Sequence, residues 1–292
     1  MTKASQLSFN LDETYENDRS VLNALFQHSS RYRQSSAYYQ LMRFIARFPQ
    51  YSPYNCMLLH IQNPDMTYVA TPNQWWKRFK RRVKPDARPL LILAPNCPVL
   101  FVYDLSDTQG EDLPSQIQDP FETHAEIKGK VWGCTIENCL RDGIIVDTNA
   151  QYSFVHAGTA FRLRSSNRIL KERVDEPFDF LIKINEELGL SARYATLVHE
   201  LGHIYSGHLG NRDGDWWQDR SRTGQKQAEI EAESISYLVC TRRGLETKSA
   251  EYMALFAHEY IDLPPVSMDV VLSATYHIEQ MGARELPDRS PK

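Results

Sequence analysis

In the segment Ala195-Thr-Leu-Val-His199-Glu200-Leu-Gly-His203, two histidines stand four residues apart with a glutamate directly after the first. On an α-helix, residues four apart lie on one face, so both imidazoles can bind a single metal ion. Glu200 is rotated by about 100° from His199, which lets it address a water on that ion without being a ligand. Zinc lowers the pKa of such a water toward about 7, and a carboxylate beside it can accept the proton as general base. Ala195, Leu197, Val198 and Leu201 give the same helix an apolar surface for burial, and burial strengthens the site's electrostatics. The plainer alternatives are two hydrogen-bonded core histidines or a closed structural zinc site, but the latter has no need of Glu200.

A catalytic zinc site takes three protein ligands. His208 is nine positions beyond His199, about 900° along a continuing helix, and so faces the opposite side. The longer pattern HExxHxxGxxH needs a glycine and a histidine where this chain has Ser206 and Leu209. The run Gln227-Ala-Glu229-Ile-Glu231-Ala-Glu233 offers carboxylates instead. Glu229 and Glu233 share a helical face, while Glu231 points elsewhere. One of the pair can ligate the metal while the other orients a ligating histidine. A merely solvated acidic face is the competing explanation.

The elements that must position these residues follow from periodicity and punctuation. Helices are expected over parts of 18–48, over 54–62, and from a Thr71-Pro72 start that leads into Trp75, Trp76 and Phe79. Leu90–Ala94 and Val99–Tyr103 read as a hairpin or two adjacent strands. A polar connection runs from Asp104 to about Lys130, followed by short strands at Gly143–Val146, Phe161–Arg164 and Phe180–Ile184. Helices then follow near 192–208, 226–242, 248–260 and 267–281. The order implies an α+β chain of two units, 1–125 and 126–292.

The 292 residues are 42% apolar and 24% charged, as in an ordinary soluble globular protein, and the net charge is −4. That average excludes a uniformly basic nucleic-acid coat protein. It conceals a segment, Trp75–Arg88, with seven basic residues and one acid, a local +6 that leaves −10 for the remainder. Lys77, Arg78, Lys80, Arg81, Arg82 and Lys84 could face a phosphate backbone, with Trp75 and Trp76 as stacking platforms. Equally, Trp75 and Phe79 are four apart and could form one inward stripe. Trp216-Trp217, beside Asp213, Asp215 and Asp219, reads as a packing loop near the site mouth. No run approaches the roughly 18 apolar residues of a membrane span, and the polar, acidic start lacks a signal-peptide core. Five scattered cysteines without a CxxC pair fit free thiols in a reducing compartment. A cytoplasmic location without a membrane partner is expected.

The HELGH segment together with Glu229-Ile-Glu-Ala232 resembles the ImmA/IrrE-type metallopeptidases over about residues 130–280. The resemblance implies a zincin-like fold, in which a small sheet beside the active-site helix offers an edge strand to extended substrate. Phe178–Ile184 is the segment nominated for that edge. Alignment on Ala232 selects Glu229 as third Zn2+ ligand beside His199 and His203, with Glu233 behind them and Glu200 as the catalytic base. Residues of about 30–110 are similar to the smaller α+β domain that precedes the metallopeptidase in ArdC-type antirestriction proteins and binds single-stranded DNA. The match rests on Asn55, Gln62-Asn63-Pro64, Trp75 or Trp76, Arg82-Val83-Lys84 and Leu90–Pro95. The family's glycine-bearing turn is replaced here by Pro85-Asp86-Ala87.

The expected activity is thus zinc-dependent hydrolysis of a peptide bond in a protein substrate, with Tyr205, Tyr237 and His258 as unranked oxyanion donors. The alternative is a single-stranded-DNA-binding antirestriction or stress-regulatory protein in which the peptidase site is secondary or idle.

Overall fold

The computed structural model describes residues 32, 34–94, 97–113, 126–151, 157–163, 178–212, 215–259 and 264–287. Two helices open it, α1 (Ser35–Ala46) and α2 (Pro53–Gln62). Ser52 caps α2 by accepting from the Asn55 amide, and Pro53 occupies the first turn, where its missing N–H costs nothing. Strand β1 (Val69–Ala70) leads to α3 (Pro72–Phe79), which begins with a full capping box between Thr71 and Gln74. Next come β2 (Arg82–Val83), β3 (Leu90–Ala94), β4 (Cys97–Asp104), a 3-10 turn at Leu105–Asp107, and β5 (Thr108–Gln109). The sheet order is β1-β4-β3, and β2 pairs separately with β5.

The remainder runs α4 (Gly129–Arg141), β6 (Ile144–Ala150), β7 (Gly158–Arg162), β8 (Phe180–Asn185), α5 (Leu190–Tyr205), α6 (Gln225–Arg242), α7 (Lys248–Glu259) and α8 (Met268–Ala283). The architecture is mixed α+β. Helix α4 was not expected, because its apolar residues Val131, Trp132, Ile136 and Cys139 follow directly on a polar stretch that reads as connection. The helix expected around Val21–Leu25 and the residues Pro95 and Asn96 lie outside the described residues. So does the stretch 114–125 that ends at the expected unit boundary. Among the described residues, no helix is long and apolar enough to cross a membrane.

The second sheet has the order β6-β8-β7, with β6 parallel and β7 antiparallel to β8. This corrects the expectation that the Phe178–Ile184 segment forms an edge. Phe180, Leu181, Ile182 and Ile184 are all buried, and a strand so apolar on both faces belongs in the middle of a sheet. Among the described residues the outer strands are β6 and β7, and both β7 and β8 pack against α5.

The main core draws on both halves of the chain. Tyr38, Leu41, Met42 and Ile45 of α1 share it with Leu197, Val198 and Leu201 of α5, Leu238 of α6 and Ile278 of α8. Full burial of one such side chain is worth about 1.5–3 kcal/mol. The Tyr38 hydroxyl donates to Ser234 Oγ at 2.8 Å. Arg242, near the end of α6, donates to the carbonyls of Ile45, Phe48 and Tyr51 at 2.9, 3.0 and 2.7 Å, and pairs with Glu279 at 2.6 Å. A smaller core of Ala70, Trp75, Phe79 and Leu113 lies under α3.

Two residues that carry the ArdC-type resemblance have a structural job. Asn55 and Gln62 lie seven apart on one face of α2. Each carboxamide both donates to and accepts from the backbone of β3, at Leu93 and Leu91 respectively, over 2.8–2.9 Å. Their side chains thereby occupy the open edge of β3, which would otherwise be free to pair with another chain.

Candidate metal centre

Helix α5 ends where its sequence requires. The Gly207 amide donates to Ile204 O and the His208 amide to His203 O, with Gly207 at φ +74°. This is a Schellman stop, and its left-handed position costs a glycine little. The helix therefore never reaches His208, and the 900° extrapolation does not apply. Instead the chain folds back and sets His208 Nδ1 3.1 Å from His203 Nδ1.

Helix α6 lies across α5 at close range. A Cβ built on Gly202 would sit only 3.2 Å from the Ala232 Cα. The small pair Gly202/Ala232 thus lets the two helices approach. That approach brings Glu229, one turn before Ala232, to the two histidines. His199 Nε2 and His203 Nε2 are 3.2 Å apart, and each lies 3.7 Å from a Glu229 carboxylate oxygen. The donor atoms of His199, His203 and Glu229 all fall within 4.8 Å of one another. A tetrahedral zinc ion with bonds of about 2.0–2.1 Å would hold its ligand atoms about 3.3 Å apart. Two imidazole nitrogens and one carboxylate oxygen therefore fit such an ion in number, type and spacing.

The electrostatics fit that use. Burial and the neighbouring His203 push the His199 pKa down to about 4, which keeps its ring neutral and its lone pair available. Glu229, close to His203 and His199, is held below the usual carboxylate range and stays charged. Glu200 is 8% exposed; burial drives its pKa up to about 7, opposed by His203 and by the Ala160 amide of β7. A base poised near neutrality combines a usable deprotonated fraction with real proton affinity. Glu233 places one carboxylate oxygen 3.5 Å from His199 Nδ1, and burial raises its pKa.

Glu231 is tied to this cluster through His208, a link that the sequence expectation did not contain. Taken to point elsewhere, it is fully buried. It accepts from His208 Nε2 at 2.9 Å, from both terminal nitrogens of Arg220 at 2.6 and 2.8 Å, and from the Ser267 amide at 2.8 Å. Burial alone would raise its pKa, but these bonds and the arginine's charge outweigh it and hold it at about 2. The available signal was Ser206-Gly207, a helix stop placed directly before a histidine.

Other expectations resolve differently. Tyr205 is buried, and its hydroxyl is committed to Asp142 Oδ2 at 2.6 Å. Tyr237 is buried, and its burial pushes the phenol up to about 12. The side chain of His258 lies outside the described residues. Trp217 is buried, with its indole N–H on Gly210 O, whereas Trp216 is exposed and stacks on Tyr205 at 5.7 Å.

In the basic segment, Trp75 is fully buried with its indole N–H on Tyr103 O. It offers no stacking face, as its spacing from Phe79 allowed. Arg81 is buried and spends its donors on Thr108, Gly110 and Glu111, so it holds β5 and the residues after it and cannot reach a phosphate. Lys84 donates to Ser106 O at 2.7 Å. Trp76, in contrast, is 46% exposed, with Arg82 and Lys80 4.8 and 5.6 Å from its ring centre. Lys77, Arg78, Lys80 and Arg82 are exposed as well.

No protein-family profile matches the chain, and no curated protein matches it. Crystal structures of the antirestriction protein ArdC from plasmid R388 are similar to it. The metal-free structure is 15% identical, with a TM-score of 0.37, covering 84% of this chain and 95% of that one. The Mn(II)-bound structure is 13% identical, with a TM-score of 0.36, covering 84% and 94%.

Proposed function

We propose that the chain is a metal-dependent peptidase of zincin-like design, acting on a protein substrate. What carries the reading is the convergence of His199 Nε2, His203 Nε2 and Glu229 beside a buried Glu200 poised near neutrality. Zinc is the ion that this donor set suits best, and when bound it supplies Lewis acidity that lowers the pKa of a coordinated water and polarises a carbonyl. His199, His203 and Glu229 would hold the ion. Glu200 takes a proton from the attacking water and passes it to the leaving amine as the C–N bond breaks. The Ala160 amide steadies Glu200. The outer edge of β7, which is unpaired among the described residues and packed on α5, can pair with an extended substrate backbone.

Removal of metal tests this directly. Protein treated with a chelator should lose hydrolysis of a denatured protein mixture, and stoichiometric zinc should restore it. A purified protein that binds no zinc, or cleaves equally well without it, excludes the proposal.

Exposed Trp76, flanked by Lys80 and Arg82, favours a second reading in which the amino-terminal part binds single-stranded nucleic acid by stacking and phosphate contact. Trp76→Ala should weaken binding of a fluorescent oligothymidine by about 1–3 kcal/mol. Replacing Lys80 and Arg82 by glutamine should flatten the salt dependence, by about 0.7 in slope per lost phosphate contact. Unchanged affinity and slope in both variants would dispose of this reading.

A further inference from the structure

We infer that His208, held by Glu231, is a positioning residue that fixes the tautomer and ring orientation of His203 toward the metal. The inference rests on the metal-centre reading above. If His203 gives its Nε2 lone pair to an ion, its proton must sit on Nδ1. That N–H faces His208 Nδ1 at 3.1 Å, which must then be the acceptor. The proton of His208 is thereby placed on Nε2, 2.9 Å from the Glu231 carboxylate. Every hydrogen bond in this chain runs the same way, and no tautomer is left to choice.

The far end is anchored so that it cannot swing. The two Glu231 oxygens take both Arg220 nitrogens, the Ser267 amide at the start of α8, and Gln227 Nε2 at 3.1 Å. The near end is built by the Schellman turn, since only the left-handed Gly207 lets the backbone return His208 to its neighbour. On His199 the corresponding contact to Glu233 is looser, at 3.5 Å. The two ligating histidines are thus steadied unequally, with His203 the firmly held one.

The test uses the full chain and zinc itself. Zinc affinity is measured by competition with a chromophoric chelator, in the parent protein, His208→Phe and His208→Gln. Phenylalanine keeps the ring's bulk and loses both hydrogen bonds, while glutamine retains an acceptor and a donor on one terminal amide. His208→Phe should weaken zinc binding about 10–100-fold, and His208→Gln should recover most of that loss. Substituted cobalt should show a broadened visible spectrum in His208→Phe and a parent-like one in His208→Gln. Parent-like zinc affinity in both variants overturns the inference, as does an equal loss in both, which would mark His208 as packing alone. A parent protein that binds no zinc removes the underlying metal-centre reading instead.

Discussion

Glu200→Gln is expected to retain the full complement of zinc while peptide hydrolysis falls by about 10²–10⁴-fold. Glutamine matches glutamate in shape, so the packing against α5's neighbours is undisturbed, and the converging donors of His199, His203 and Glu229 do not include Glu200. What is lost is a buried carboxylate beside that cluster whose pKa, about 7, suits it to accept a proton at neutral pH. His199→Ala and Glu229→Ala should behave differently. Each removes a donor atom, so metal content itself should drop, with activity following it. Metal analysis and a hydrolysis assay on the same three preparations separate the roles. Loss of zinc in Glu200→Gln, or retained hydrolysis, would show that the carboxylate has been assigned the wrong part.

The second large effect concerns stability. Arg242→Met should destabilise the protein by about 3–5 kcal/mol, the usual consequence of removing one partner from a buried pair. The Arg242 side chain is 1% exposed, and its guanidinium satisfies the carbonyls of Ile45, Phe48 and Tyr51 as well as Glu279. Ile45 lies in the last turn of α1, where its carbonyl takes the Phe48 amide at 3.3 Å and, in addition, the guanidinium. Methionine would fill the space, take one donor from each of those carbonyls and leave the Glu279 carboxylate without its cation. Adding Glu279→Met should recover part of the loss, because no uncompensated carboxylate then remains beside the vacated position. Urea unfolding of the parent, single and double variants measures this. A single-variant loss below about 1 kcal/mol would mean that the pair is solvated in solution. The effect reaches the site, because Arg242 ties α1 and α2 to α6, the helix that carries Glu229.

Local features were legible at the level of residues. The Thr71-Pro72 start, the hairpin and the helices around His199 and Glu229 all follow from capping and periodicity, which depend only on near neighbours. Helix α4 was hidden because a polar connection runs straight into it. The sign of the basic segment was plain, but its division was not. Trp75 and Arg81 point inward while Trp76 and Arg82 face solvent, and that split depends on where β4 and β5 lie.

By itself, the sequence determined that His199 and His203 share a face with Glu200 beside them, because 3.6 residues per turn leaves no other arrangement on a helix. It also determined that Glu229 and Glu233 share a face of their own. The tertiary structure decided which carboxylate meets the histidines, through the close approach of Gly202 and Ala232. It decided that β7 rather than β8 is the edge beside α5, since strand order is a long-range property that alternation along one strand does not encode. It also turned His208 and Glu231 from bystanders into the support of His203. Their contact requires a chain reversal at Gly207 and an arginine from the following loop, and neither lies within reach of helical periodicity.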